Sequence, residues 1–141
     1  MDTIGPLPPS YVRSVTGSHS KRKGYTYILV IVDASSGWCE LVPLDDASVS
    51  SIAYAFIANW FWSYGLPKAF MPDNGTEFLN DVVDMILRVL RVRRLLISGY
   101  RPQTNGKVER LNDYINQQLR HLFDKMTGNW HLLLPLIASV C

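Results

Sequence analysis

A chain of 141 residues is the length of one domain or of a fragment of one, and its 48% hydrophobic residues can form a sizeable core. No apolar run reaches the roughly 18 residues of a membrane-spanning helix and no signal peptide is visible, so we expect an intracellular protein with no membrane partner. The net charge of +2 does not by itself indicate nucleic-acid binding. Cys39 and Cys141 lack the spacing of a zinc site, and we expect both to be reduced thiols.

The first third of the chain predicts three strands. Residues 1–5 form a short strand, and residues 10–24 form an exposed polar connection. The strongest strand spans residues 25–33. Because it is β-branched, aromatic and almost continuously apolar, we expect it at the centre of a sheet with both faces covered. A turn at residues 35–37 leads into an antiparallel third strand over residues 38–44.

The next predicted element is a helix that is capped by Asp45 or Asp46 and ends at about Tyr64, before Gly65. Its apolar residues extend beyond one stripe, so the helix is expected to be buried on more than one side. The sheet of the same chain covers one of these sides. A second subunit would cover the other, and the sequence therefore predicts a dimer contact on this helix.

The rest of the chain alternates between strands and helices. Short strands are predicted at residues 68–71 and 94–98, and helices at about residues 78–92, 108–126 and 130–140. A three-stranded meander followed by this alternation predicts an α/β fold with a mixed five-stranded sheet flanked by helices. The fourth and fifth strands, reached by helical crossovers, are expected to run parallel to the first.

Three carboxylates are the candidate metal ligands, namely Asp2 on the first strand, Asp73 just past the fourth, and Glu109 on the long helix. Open α/β sheets place ligand-binding groups where Asp73 lies, and 35 residues separate it from Glu109. Carboxylate oxygens suit Mg²⁺, and two ions about 3.5–4 Å apart stabilise the attacking and leaving oxygens of a phosphoryl transfer. We predict that the three acids hold two such ions, and that water or a DNA 3′-hydroxyl attacks directly.

Each of these acids also fits a purely structural role. Asp73 is in a common turn position, Glu109 is placed to interact with a helix dipole, and Asp2 is close to the chain terminus. Asp33, at the end of the strongest strand, is the rival third acid, whereas Glu77 is expected to be an exposed acid in the first turn of its helix. The three histidines show no ligand-like grouping and are expected to be structural or exposed.

Four stretches together resemble the catalytic core of retroviral and LTR-retrotransposon integrases, with gypsy-type elements as the best match. They are residues 1–8 (MDTIGPLP), 28–33 (ILVIVD), 73–78 (DNGTEF) and 100–112 (YRPQTNGKVERLN). The resemblance runs from Met1 to about Trp130. It implies a ribonuclease H-like fold, in which the first strand lies beside the fourth, so that Asp2 and Asp73 meet and Glu109 approaches from its helix.

The same resemblance implies a function in the nucleus, which is 3′-end processing of element DNA followed by strand transfer into host DNA. Mg²⁺ is the expected metal and Mn²⁺ its substitute. Asn105 and Asn112 are expected near the DNA ends, and Arg101, Lys107 and Arg110 are expected to contact phosphate or DNA. The first and last helices form the dimer face of this family, which implies a homodimer or a higher oligomer.

Two residues depart from the family pattern. Arg101 stands where the family loop usually has histidine, and Pro72 stands where serine or threonine is common. We expect residues 1–141 to be an integrase core truncated at both ends, without the zinc-binding and carboxyl-terminal domains. A catalytically retired core that serves as a DNA-binding or protein-interaction module stays an alternative, although the intact acids argue against it. A bacterial insertion-sequence transposase is the third hypothesis, and the GPLP and PQTNG runs favour the retroelement.

Overall fold

The computed structural model describes residues 1–11, 24–33, 35–68, 70, 76–91, 105–123 and 129–139. For residues 76, 105–109, 111, 112, 122 and 123 it describes the backbone alone.

Within the described ranges, the sheet has three antiparallel strands, β1 (Asp2–Ile4), β2 (Tyr27–Val32) and β3 (Cys39–Leu44). Their order is β1-β2-β3, so the most apolar strand has a neighbour on each side, as expected of a strand inside a sheet. Asp2 lies opposite Val30 in the first pair of strands, and the second pair is joined by the short turn after Asp33. The predicted antiparallel meander is therefore confirmed.

The predicted five-stranded sheet is not confirmed over the described residues. Lys68 and Phe70, from the predicted fourth strand, lie outside any strand, and residues 69 and 71 fall outside the described ranges. The predicted fifth strand, residues 94–98, also lies outside the described residues.

The first helical segment is α1 (Val49–Phe56), which continues through a π-helical turn (Ile57–Phe61) into the short α2 (Trp62–Tyr64). Its N-cap is Ser48, whose hydroxyl accepts the backbone N–H of Ser51 at 3.3 Å. The prediction of a cap at Asp45 or Asp46 is thus wrong. The Asp46 carboxylate accepts the Ser48 backbone N–H at 3.0 Å, which shapes the turn before the helix rather than the helix end itself.

The remaining helices are α3 (Thr76–Val89), α4 (Asn105–Phe123), a 3₁₀ turn (Trp130–Leu133) and α5 (Leu134–Ala138). They match the predicted positions, although α4 begins three residues before the predicted start at residue 108. The final segment was predicted as one helix, and the structure gives a 3₁₀ turn in its first four residues, just before Pro135.

None of the helices in the described ranges is both long and apolar enough to cross a membrane.

The side chains of β2 alternate between two hydrophobic clusters. Leu29 and Ile31 point to one face, where they pack against α1, the π-helical turn and α3. Ile28 and Val30 point to the other face, where they pack against α4, the 3₁₀ turn and α5. All four side chains are at most 3% exposed. The sheet is therefore covered by helices on both faces, as the apolar sequence of this strand predicts.

Ser10 corrects the prediction of an exposed connection over residues 10–24. Its side chain is fully buried, and its backbone N–H and carbonyl pair with Tyr25 at 2.9 and 2.8 Å. The Ser10 Oγ lies 2.7 Å from His131 Nδ1, and the neighbouring Trp130 Nε1 donates to the Pro8 carbonyl at 2.7 Å. Both partners are more than 120 residues away in sequence, so local polarity could not reveal this burial.

Candidate functional site

Asp2 is the first residue of β1 and is half-buried. One of its carboxylate oxygens accepts the backbone N–H of Thr3 at 2.7 Å. The strand pairs with β2 along one edge, and within the described ranges no strand pairs along the other. A half-buried carboxylate with an oxygen beyond this single hydrogen bond is a donor that suits a hard divalent cation.

Glu109 is the fifth residue of α4, and its backbone lies in the first part of that helix. Ile115 and Leu119 are buried at 0% and 3% exposure and define the side of α4 that faces the sheet. At 3.6 residues per turn, position 109 lies about 100° around the helix axis from that direction. Position 109 is therefore away from the centre of the buried face, and its predicted place at the edge of the stripe stays a prediction.

The other predicted site residues divide into two groups. Asp73 and Arg101 lie outside the described residues. Asn105, Lys107 and Asn112 lie on the α4 backbone, which gives them one common element. Arg110 is also on α4, and it is the predicted DNA contact whose side chain is described and exposed.

The described side chains contain no group of three histidine, cysteine, aspartate or glutamate residues that could hold a metal ion. The side chains of Asp73 and Glu109 are not among them. The meeting of Asp2, Asp73 and Glu109 therefore stays a prediction.

Asp33, the rival third acid, is held by its own turn. Both carboxylate oxygens accept the Ser35 hydroxyl, at 2.9 and 2.7 Å, and one of them accepts the Ser36 hydroxyl at 2.6 Å. The backbone N–H groups of the same two serines donate at 3.2 Å. The hydroxyls of Ser36 and then Ser35 lower the pKa of Asp33 to about 2. These donors occupy the oxygens that a metal would need.

We expect the Asp33 turn to stabilise the fold more at neutral pH than in acid. Because the pKa of Asp33 is lowered to about 2, its contribution is complete above the unfolded pKa of about 3.9 and is lost as the pH falls through about 2. Urea unfolding from pH 5 to pH 2 measures this loss. Ser36→Ala removes the main hydroxyl donor, so its stability should depend less steeply on pH in this window. Equal pH dependence in wild type and Ser36→Ala would contradict this prediction.

A second polar cluster was not predicted from the sequence. The Trp38 Nε1 and the Tyr64 hydroxyl both donate to the Oε1 of Glu40, at 3.1 and 3.0 Å. Trp38 and Glu40 are two residues apart, and a side-chain period of two places them on the same side of an extended chain. That half of the cluster is visible in the sequence. The approach of Tyr64 is not, because it depends on how the helix packs beside β3.

The expected metal fits the donor chemistry of the candidate acids. Mg²⁺ takes oxygen ligands, and a set of three carboxylates gives it hard anionic donors without cysteine or histidine. Two acids close in sequence to Asp73 and Glu109 are exposed and are not proposed as metal ligands. Glu77 is exposed in the first turn of α3, as predicted, and Asp113 is exposed one turn after Glu109.

A family model described as "Integrase core domain" matches residues 14–102, which is more than half of the 141-residue chain. The Gag-Pol polyprotein of feline leukemia virus is 36% identical over 115 residues, which cover 81% of this chain and 7% of that protein. The Pol polyprotein of radiation murine leukemia virus (strain Kaplan) is 36% identical over 114 residues, which cover 80% of this chain and 20% of that protein. The Gag-Pol polyprotein of baboon endogenous virus (strain M7) is 37% identical over 114 residues, which cover 80% of this chain and 7% of that protein.

The chain therefore spans a fifth or less of the length of these viral polyproteins. Asp73 lies within the stretch that the family model matches, whereas Asp2 and Glu109 lie outside it.

Proposed function

Because the chain belongs to the integrase core domain family, we propose that it cuts and joins DNA during the integration of a retrovirus-like element. Membership of this family confirms the resemblance to retroviral and retrotransposon integrases and implies the ribonuclease H-like fold. The proposed reaction has two steps, which are 3′-end processing of the element DNA and strand transfer into host DNA. Both steps are phosphoryl transfers, in which the attacking oxygen comes from water or from a DNA 3′-hydroxyl.

One observation carries the proposal, namely that the family match extends through Asp73 in a chain whose first strand presents Asp2 at one end of the sheet. In a ribonuclease H-like fold, a strand that ends before Asp73 would lie beside β1. The described residues leave that edge of β1 without another strand. In the same fold, Glu109 would approach that end of the sheet from α4.

The protein residues have distinct roles in the proposed reaction. Asp2, Asp73 and Glu109 would together hold two Mg²⁺ ions, or Mn²⁺ in their place. When bound, the metal would stabilise the charge that develops on the attacking and leaving oxygens. Arg110, exposed on α4, would contact DNA phosphate.

Four further residues are proposed to contact DNA, and they lie on α4 or just before it. Arg101 and Lys107 would contact phosphate, and Asn105 and Asn112 would lie near the DNA ends. Contacts of Arg101 and Lys107 with phosphate would position the duplex without reading its sequence.

The test of this proposal is a branched DNA that mimics the product of strand transfer. Reversal of strand transfer reseals this DNA, and this reaction is expected to require only the catalytic core. We expect resealing with Mg²⁺ or Mn²⁺ and none with a chelator. A folded protein that binds the branched DNA and leaves it unchanged with either metal would favour the alternative, a catalytically retired core that acts as a DNA-binding or protein-interaction module.

We also propose that two copies of the chain associate through the first and last helices. On the first helical segment, Tyr54 and Trp62 are 55% and 76% exposed. Near the end of the chain, Leu132 and Leu136 are 67% and 63% exposed. Large apolar side chains exposed on two helices, each with its other side in the core, are suited to burial in a protein interface. The proposed site of action is the nucleus, where host DNA is reached.

If the chain dimerises in this way, charged substitutions on the first and last helices should lower its molar mass in solution. Trp62→Glu combined with Leu136→Glu is expected to convert a dimer into a monomer, because unpaired carboxylates would be buried in the interface. Light scattering after size-exclusion chromatography measures the mass. The control Val89→Glu changes a side chain on α3 that is 38% exposed, and it should leave the mass unchanged. A wild type that is monomeric at all accessible concentrations would contradict the proposal.

A further inference from the structure

Trp38, Glu40 and Tyr64 form a corner on the surface at β3, which among the described strands pairs with β2 alone. Trp38 and Tyr64 are each 50% exposed, and their ring centroids lie 6.4 Å apart with the ring planes tilted by 57°. Glu40 is half-buried, and its Oε1 accepts a hydrogen bond from each of these side chains, at 3.1 and 3.0 Å. The carboxylate is thus held between two exposed aromatic side chains.

The buried side of the corner packs against the hydrophobic core. Trp60 is 7% exposed, and its ring centroid lies 4.6 Å from that of Tyr64. Trp60 belongs to the same hydrophobic cluster as the central strand β2, so the core fixes the position of the Tyr64 ring. Two hydrogen bonds and one buried aromatic contact therefore hold the three groups in place before any partner arrives.

The negative charge of the Glu40 carboxylate has no cationic partner among the described residues. The hydrogen-bond partners of Glu40 are the neutral indole and phenol groups, and no lysine, arginine or histidine of the described residues forms an ion pair with it. Desolvation and then the hydrogen bond and negative charge of Glu40 raise the pKa of Tyr64. Oε1 is filled by two donors, and the second oxygen, Oε2, still carries its lone pairs.

We propose that Trp38, Glu40 and Tyr64 form a binding site for the arginine side chain of a partner protein. A guanidinium group would stack on an aromatic ring, with one N–H donating to Glu40 Oε2. This arrangement uses all three properties of the corner, which are its negative charge, its ring surfaces and its one open acceptor. The site lies on β3 and the end of the first helical segment, and none of the proposed catalytic or DNA-binding residues belongs to it. Tyr64 lies about 200° around the helix axis from Trp62, so a dimer contact at Trp62 would be on the opposite side of the helix from this site.

Arginine suits this corner better than other organic cations. A quaternary ammonium group has no N–H to donate to Oε2, and it is bound by several rings that surround it, whereas the two exposed rings here leave the corner open. A lysine ammonium can donate to Oε2, but it is more strongly hydrated and lacks a flat face to stack on a ring. The planar guanidinium group is weakly hydrated and can make both contacts.

The test uses the indole N–H signal of Trp38 in two-dimensional NMR spectra of the whole chain, assigned with Trp38→Phe. The probe is a capped peptide, Gly-Gly-Arg-Gly-Gly, and its control carries citrulline, the neutral isostere of arginine. We expect a saturable shift of the Trp38 signal with the arginine peptide and none with citrulline. In Glu40→Gln, the dissociation constant should rise at least about tenfold, because a charge-assisted hydrogen bond is lost.

Two further variants keep the test decisive. Tyr64→Ala removes an exposed ring and should weaken binding even if Glu40→Gln fails to fold. Tyr11→Ala removes an aromatic side chain that is 42% exposed elsewhere on the surface, and it should bind as the wild type does. Equal shifts with arginine and citrulline, or unchanged affinity in Glu40→Gln, would overturn the proposal. So would a Trp38 signal that moves with protein concentration but not with peptide, because a second copy of the chain would then cover the corner.

Discussion

Glu109→Gln is expected to reduce the resealing of branched DNA by about 10²–10³-fold or more, with the fold intact. Glutamine keeps the size and one oxygen of the side chain but removes the negative charge that a divalent cation requires. Asp73→Asn should have the same effect for the same reason. Because the three acids act as one unit, the double variant should be little worse than either single variant.

The controls for this prediction are exposed acids close to the two candidate ligands in sequence. Glu77→Gln changes an acid four residues after Asp73 in sequence, and Asp113→Asn changes an acid one helical turn after Glu109. Each should keep resealing within roughly twofold of the wild type, since neither exposed carboxylate is a proposed metal ligand and surface substitutions cost little stability. The rate of resealing is measured together with far-ultraviolet circular dichroism, which verifies folding. A Glu109→Gln variant that is as active as Asp113→Asn would remove Glu109 from the site.

Phe56→Ala is expected to lower the free energy of unfolding by about 3–5 kcal/mol. Phe56 is 1% exposed in the cluster between the sheet, α1 and α3, and its ring centroid lies 5.5 Å from that of Phe70. Truncation would leave a cavity at the contact of three elements. The loss is a large fraction of the roughly 5–15 kcal/mol that stabilises a typical domain.

The matched control is Phe78→Ala, which makes the same chemical change on α3 at a side chain that is 43% exposed. Its cost should be below about 1 kcal/mol, because much of the ring is already in water. Urea unfolding followed by tryptophan fluorescence measures both variants. If they cost the same, Phe56 does not occupy the core position that the structure gives it.

Several elements of the fold could be predicted because their signals are local. The apolar run of β2 predicts a central strand, and the helical spacing of Ile52, Phe56 and Trp60 predicts the buried face of the first helix. Capping was predicted less well. The residues before α1 include several side chains able to cap it, and their competing hydrogen bonds decide that Ser48, rather than Asp46, is the cap.

Contacts between residues far apart in sequence could not be predicted in the same way. Ser10 is polar and lies in a segment predicted to be exposed, yet it is buried against His131. The sequence shows that Trp38 and Glu40 share one side of a strand, but only the packing of the first helical segment brings Tyr64 to the same carboxylate. The candidate metal site is of this kind, since its three acids come from three separate parts of the chain. Its acids were proposed from their places on the predicted elements, and only the resemblance to a family implied that they meet.

The measurement that tests the central claim most directly is a titration of the isotope-labelled chain with Mn²⁺, followed by NMR. Paramagnetic Mn²⁺ broadens the signals of amides near its binding site. We predict that amides beside Asp2, Asp73 and Glu109 lose their signals together at the lowest Mn²⁺ concentrations, and keep them at those concentrations in Glu109→Gln. Broadening that begins around Asp33, or that spreads evenly over the exposed acids, would contradict a metal site formed by these three carboxylates.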